Sequence, residues 1–457
     1  MSFDGSSSRG DIPLNEQDDS LSINMDRPRN DDTEAWRIYL KSQEHHWRTE
    51  PEIDVERQKY LTERRSIHPD IEKGIYPFRD IQLTHADVEW LLATHENGRG
   101  PIYWSEVNQR DRWGLDLRGA NLSQVNLLNL PLARLRGGLT WDEWLAATEE
   151  QRYLAGVRLV KANLFRTHLE GARLRKANFE NAYLSSAHLE EAYLDGANLR
   201  RTILFRTHLE GASLREAHLE NAVFYKAIFN TETNLEDVTK LDTALLADVH
   251  WGSVSLANLN LSQLNMLGDE YKARQKTNEE NYFYEDLQIY VTGKQLIPRL
   301  KKSKYTQLDD FMSAVRANRQ LAVALQAQGL NEVAARFVYR SQLLQRKIFW
   351  YQRKFGQYLF SLFLDLLAGY GYRPGRSLIA YAVVITIFAT IYHLLGTHLA
   401  WNEAIVISMT AFHGRGFFPE QFKPGDPQAM VAAIEAFVGL LIEVTFIATL
   451  TQRFFGK

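Results

Sequence analysis

Residues 159–229 read LVKANLFRTHLEGARLRKANFENAYLSSAHLEEAYLDGANLRRTILFRTHLEGASLREAHLENAVFYKAIF, and every fifth residue is Leu or Phe, from Leu159, Leu164 and Leu169 to Phe224 and Phe229. That makes 15 consecutive pentads. Two residues before each centre stands Ala, Thr or Val, as at Ala162, Thr167, Ala172 and Thr202. A period of five matches neither the 3.6-residue repeat of a helix nor the alternation of a plain strand. It suits a solenoid in which each pentad forms one side of a square coil. The large centre and the small residue two before it then point inward, and the other three positions meet solvent.

Earlier pentads run from Leu117 and Leu122 through Leu127 and Leu132 and then break, and residues 138–155 read GLTWDEWLAATEEQRYLA. That segment reads as an inserted helix with Thr140 as its cap and Glu143 three residues on. After a loose stretch at 230–248 the frame returns at Val249, Val254, Leu259 and Leu264, so the coil is expected from Leu115 to about Leu267. The triplet Ala-Asn-Leu at 120–122, 162–164, 197–199 and 257–259 resembles the signature of the pentapeptide-repeat family. The resemblance implies a right-handed quadrilateral β-helix with four pentads per coil. The octapeptide FRTHLEGA at 165–172 and 205–212 then falls on one face, two coils apart. At β-strand spacing the run from Leu159 to Phe229 is a rod of roughly 20 Å.

The chain has 457 residues, no cysteine, a net charge of −3 and a mean hydropathy of −0.33. Such a length exceeds one compact core. The absence of cysteine excludes a disulfide scaffold, a thiolate metal site and a catalytic thiol. Some proteins of the resembled family mimic duplex DNA and inhibit topoisomerases, which needs a strongly negative face. Residues 159–229 carry ten Lys or Arg against eight Asp or Glu, so that use is disfavoured and no nucleic-acid partner is expected. His168, His188, His208 and His218 stand one before a centre, hence outward. An outward histidine stack suits pH sensing or metal binding, and a tolerated solvent position is the simpler reading. Arg166, Glu170, Arg206 and Glu210 read as a solvated charge ladder, and His45 and His46 with Glu44 as a solvated helix face. No nucleophile–base pair, phosphate loop or metal-ligand cluster stands out, so neither an enzyme nor a cofactor is expected.

Residues 1–35 are acidic, Ser- and Asp-rich and nearly free of large apolar groups, the composition of a disordered tail. Residues 36–110 carry Trp36, Tyr39, Trp47, Trp90, Leu91 and Trp104 at spacings that predict short amphipathic helices, one starting at Thr84 with Asp87. The coil domain takes 111–268. A helical connector comes next, over 269–370, in which Ala322, Leu325, Ala334, Phe337 and Leu343 form the packing side of a hairpin similar to a single tetratricopeptide unit. One such unit cannot bury its own face, so it is expected to join the rod to the C-terminal quarter of the chain. Arg336, Arg340, Arg346, Lys347, Arg353 and Lys354, mixed with Phe349, Trp350 and Tyr351, then predict a helix at a membrane surface.

Residues 371–457 hold two candidate membrane spans. Ser377 to Gly396 is 20 residues without formal charge, enough to cross a hydrocarbon core of about 30 Å. Met430 to Leu450 is broken only by Glu435 and Glu443. Arg373, Arg376, Arg453 and Lys457 flank the spans, whereas the intervening loop carries only Arg415 and Lys423 as positive charges. That asymmetry predicts a multi-pass protein of the inner (plasma) membrane with both termini cytoplasmic. Between the spans, Asn402 is placed to cap a short apolar helix from Glu403 to about Phe412, followed by His413-Gly-Arg-Gly-Phe-Phe-Pro419.

Span, short helix, Gly-X-Gly turn, Pro, span: this order resembles the two-transmembrane pore-loop channels of the potassium-channel class. The lead-in Gly369-Tyr-Gly-Tyr-Arg-Pro-Gly375 resembles that of pentapeptide-repeat proteins carrying such a pore. The resemblance implies a homo-tetramer around a hydrated axis, with permeating ions as ligands and the short helix aiming its negative end at a cation. The filter positions are Phe412, His413, Gly414, Arg415, Gly416 and Phe417, which share only the two glycines with the Thr-Val-Gly-Tyr-Gly-Asp of potassium filters. The ion therefore stays open. Arg415 either faces the axis or pairs behind the filter with Glu435 as its support. Gly439 resembles the hinge glycine of such inner helices, with Glu443 one turn deeper, either as a cavity ring or held by a neighbour bearing Thr445 or Thr386. The competing reading is a membrane-anchored adaptor whose β-helix binds a soluble protein or ligand and whose degenerate pore does not conduct.

Overall fold

The computed structural model describes residues 28, 32–42, 46–259, 266–275, 303–395, 399–414 and 425–455. Of the sequence expectations, most of the acidic tail, His45, Leu264, Gly396, Arg415, Gly416, Phe417, Lys423 and Lys457 lie outside these described residues, and the tail ends before residue 35, because a helix begins at Thr33.

The coil is built from isolated parallel bridges between residues one turn apart. Arg158 pairs with Asn178, Asn163 with Tyr183, His168 with His188 and Arg173 with Tyr193, so four bridges join each 20-residue turn to the next. The pentad length allows only one ladder residue per side. The backbone amide of Leu164 donates to the Tyr183 carbonyl (2.7 Å) and that of Tyr183 returns to the Ala162 carbonyl (2.9 Å). Leu164, Leu169, Leu174, Phe179 and the small residues Ala162, Thr167, Ala172 and Ala177 are all buried in one continuous core. Threonine at a small position stays buried because its hydroxyl finds a carbonyl: Thr202 donates to Phe179 (2.9 Å) and Thr207 to Leu184 (2.8 Å). Two residues after each centre the chain turns a corner with positive φ, at Lys161 (57°), Arg166 (53°), Gly171 (61°) and Lys176 (57°).

The insertion does not disturb the stacking. Asn121 pairs with Arg158 and Asn126 with Asn163, 37 residues apart instead of 20, so 17 residues are looped out. They form two short helices rather than the single one expected. The first helix of the fold is α1 (Thr33–Ser42), then α2 (Val55–Arg65) and α3 (His85–Ala93), with the insertion supplying α4 (Trp141–Ala146) and α5 (Glu149–Ala155). The Thr140–Glu143 and Thr148–Gln151 capping boxes start both insertion helices. Residues 230–248 are not a break either. Ser213 pairs with Asn234 and Val223 with Leu245, so one extra residue is absorbed at each of two corners and the coil runs on to His250.

Ahead of the coil, Gln82 bridges to Asn121, and Trp90, Leu91 and Leu92 of α3 close its first turn. Trp36 and Tyr39 are helical, but Trp47 and Trp104 sit in turns, contrary to the amphipathic-helix expectation. At the far end α6 (Gly268–Arg274) leads to the hairpin of α7 (Lys304–Ala327) and α8 (Asn331–Tyr351). Leu321, Ala322, Leu325, Ala334 and Phe337 belong to the same apolar core as the coil, so the hairpin closes the rod's open end. Leu343 is only half-buried; its neighbour Leu344 takes the packing position. Gln328 fixes the joint, its amide donating to the Val254 carbonyl (2.7 Å) and accepting from the Leu256 amide (2.8 Å).

Three apolar helices and one short one complete the fold: α9 (Phe355–Ala368), α10 (Pro374–Leu395), α11 (Trp401–Phe412) and α12 (Pro427–Phe455).

Candidate functional site

The hairpin meets the apolar helices at one carboxylate. Asp365 on α9 accepts from Arg346 of α8 (2.9 Å), from Tyr339 of α8 (2.9 Å) and from Arg376 of α10 (2.8 Å). Burial opposes its ionisation, but the Arg346 and Tyr339 hydrogen bonds outweigh it and hold the carboxyl below the usual range. The basic segment read as interfacial is thus partly spent on structure, since Arg346 serves Asp365 and Arg340 pairs with the buried Glu270 (2.8 Å). Beside it, α9 exposes Phe355, Leu359, Phe360, Phe363 and Leu366.

Residues 375–395 and 427–451 form helices long and apolar enough to cross a membrane, and only 11% and 22% of their apolar windows are buried in the chain. By contrast α11 has 12 residues, a length of about 18 Å, too short to cross. It begins where Glu403 accepts from the Ala400 amide (3.2 Å); Asn402 lies inside the helix and is exposed, so it is not the cap. Ala404, Ile407, Ser408 and Ala411 are its buried side, packed between α10 and α12.

Glu435 is the polar centre of this packing. It is fully buried, and its two carboxyl oxygens take hydroxyl protons from Tyr392 of α10 (2.9 Å) and Ser408 of α11 (2.5 Å). One side chain therefore ties all three helices. Neither Tyr392 nor Ser408 was singled out from the sequence; the available signal was a hydroxyl at a buried position in each apolar helix.

Among the filter residues, Phe412 is buried and ends α11, and His413 and exposed Gly414 form the turn after it, Gly414 with φ +68°. His413 donates Nδ1–H to the Met409 carbonyl (2.8 Å), which turns Nε2 toward Glu443 Oε1 at 3.5 Å. Glu443 thus faces His413 across the two helices, and the two form an ion pair when the imidazole carries its second proton. Thr445 and Thr386 do not hold it, for their hydroxyls donate to Leu441 and Ala382 in their own helices. Gly439 lies against the end of α11, where a Cβ would sit 2.0 Å from the Phe412 carbonyl oxygen.

On the coil, His168, His188 and His208 form a stack, each ring 4.8 Å from the next. Beneath them Glu170 is buried, which corrects its placement in a solvated ladder, while Arg166 and Arg206 lie over the rings of Phe165 and Phe205. His188 is raised above the usual imidazole range by its hydrogen bond to Glu190, against the effect of burial. His218 lies on a different side, bridged to Asn198 and Thr239.

The profile of the family described as pentapeptide repeats, eight copies long, matches residues 162–201 and 202–237. Residues 162–237 are pentapeptide repeats. Solved structures similar to this chain are also pentapeptide-repeat proteins. One from the thylakoid lumen of Arabidopsis thaliana is 23% identical, the match covering 24% of this chain and 75% of that one, with a TM-score of 0.21. One from the cyanobacterium Cyanothece 51142 is 28% identical over 31% of this chain and 91% of its own, at 0.19. A plasmid-mediated fluoroquinolone resistance protein is 15% identical over 39% and 86%, also at 0.19. Among curated proteins no sequence matches the chain. The pentapeptide-repeat domain thus carries the histidine stack, and the helices beyond it carry the Glu435 and Glu443 clusters.

Proposed function

We propose that this protein is an oligomeric, tetrameric ion channel of the cell's inner membrane, with the pentapeptide-repeat domain as a cytoplasmic sensory or scaffolding module. The observation that carries this reading is α11: a helix too short to cross, seated between two apolar helices of spanning length, its C-terminal turn beside Glu443. Irregular backbone at membrane depth survives only when buried in protein or lining water, and two spans per chain cannot enclose a water path alone. Copies of the chain would surround the axis, bringing their His413–Glu443 pairs together. The outward Leu378, Ile379, Val383, Phe437, Val444 and Ile447 supply apolar surface for lipid and for sister subunits. Asp365 gives the route of coupling, because movement of the hairpin on the rod would pull α10 through Arg346 and Arg376.

The test is reconstitution of the purified full chain into liposomes, with flux of K+, Na+ and Cl− measured and particle symmetry determined by electron microscopy. The reading expects four-fold particles, ion flux, and a changed cation-to-anion ratio in Glu443→Gln and Arg415→Gln. Tight liposomes with all three ions, or a lipid-filled centre between subunits, would overturn it in favour of a membrane-anchored adaptor.

A further inference from the structure

On one side of the pentapeptide-repeat domain two columns run along the rod. His168, His188 and His208 form the outer one, their rings nearly parallel at 5° and 10°. Glu170, Glu190 and Glu210 stand two residues on. Oε1 of each carboxylate faces the Nδ1 of its own histidine, at 2.8, 2.9 and 3.4 Å, and His208 also comes within 3.8 Å of Glu190. The second oxygen, Oε2, of all three glutamates is buried without a hydrogen-bond partner. Glu170 is only 4% exposed. No Lys or Arg among the described residues forms an ion pair with any of the three.

Carboxylate oxygens removed from water and left unpaired are costly, and here the cost is repeated at one-coil spacing with like charges in register. A cation bound by one of these carboxylates compensates that group and weakens the repulsion along the column. Imidazole nitrogen with carboxylate oxygen suits ions of the zinc type; calcium and magnesium prefer oxygen alone. The ligand atoms of His168, Glu170 and His188 lie within 4.8 Å of one another, and so do those of His188, Glu190 and His208. Each residue offers a single ligand atom, and His188 belongs to both sets.

We propose that this ladder is a binding site for one divalent transition-metal ion, held by either of two overlapping triads that share His188, with water completing the coordination. Sharing sets the stoichiometry, since an ion in one triad takes the nitrogen the other needs. Binding draws the Nδ1 protons off the histidines, and the Nε2–H tautomer remains.

The test uses the full chain, purified with its affinity tag removed, titrated with Zn2+ by calorimetry and with Co2+ by visible absorption. The expected result is one ladder equivalent, with a cobalt d–d band. His188→Gln abolishes that equivalent. His168→Gln and His208→Gln each keep it, about two-fold weaker on statistical grounds, because one triad survives. The double variant of His168→Gln and His208→Gln loses it while leaving His188 in place, which covers the case in which His188→Gln misfolds. Circular dichroism of the metal-free variants should match the parent. Two ladder equivalents, retention of binding in both His188→Gln and the double variant, or no equivalent in the parent would overturn the proposal.

Discussion

The carbonyl oxygen of Phe412 lies 2.0 Å from where a Cβ on Gly439 would stand, so the short helix and the last helix touch backbone to backbone. Glycine at this position leaves room for the end of α11. Replacement by Ala pushes α11 away from α12, and overpacking of this kind costs about 1–3 kcal/mol. Thermal unfolding of Gly439→Ala in detergent should fall accordingly. A hinge role alone would leave the melting temperature unchanged and alter only opening.

Glu435 should be the least replaceable polar residue of the apolar helices. In Glu435→Ala the Tyr392 hydroxyl loses its acceptor inside a packed interface, whereas Ser408 still reaches the Ile385 carbonyl (3.1 Å). An unsatisfied buried group costs about 1–3 kcal/mol, so a loss of that size is expected from denaturant titration. Equal stability of the variant would mean that water reaches the site.

The joint between rod and hairpin should respond to pH. Asp269 is buried and accepts from the amides of Leu246 (2.6 Å) and Ala247 (3.3 Å); burial, only partly countered by these bonds, pushes its carboxyl up to about 6. The folded chain then binds this proton more tightly than the unfolded one. The contribution is fully present below about pH 4 and is lost as pH rises through 6, a difference of up to about 3 kcal/mol. Asp269→Asn should flatten the pH 4–7 stability profile. A parent profile already flat over that window would refute it.

Arg346 and Asp365 should couple measurably. Both are largely buried, and their hydrogen bond spans α8 and α9 at 2.9 Å. A double-mutant cycle with Arg346→Met and Asp365→Asn is expected to give an interaction energy of about 1–2 kcal/mol. A value near zero would show that Arg376 alone satisfies the carboxylate.

The coil was legible in the chain because one side of a square turn needs one large and one small inward residue, and Leu164 with Ala162 repeats that demand 15 times over. The frame also marked where α4 and α5 interrupt it, and long apolar runs marked α10 and α12. Neither signal depends on what lies across space.

The corner slots were not legible. Lys161, Arg166 and Lys176 adopt the same left-handed φ as Gly171, at roughly 1–2 kcal/mol each, and it is the stacked ladder that holds them there. Contacts between distant segments were equally hidden. That Glu435 meets Tyr392 and Ser408, that Glu443 meets His413, and that Glu170 sinks beneath His168 depends on how helices cross and coils stack. A periodic pattern says which way a side chain points from its own element. Which partner waits there is settled by long-range packing, because burial without a partner is what the fold must avoid.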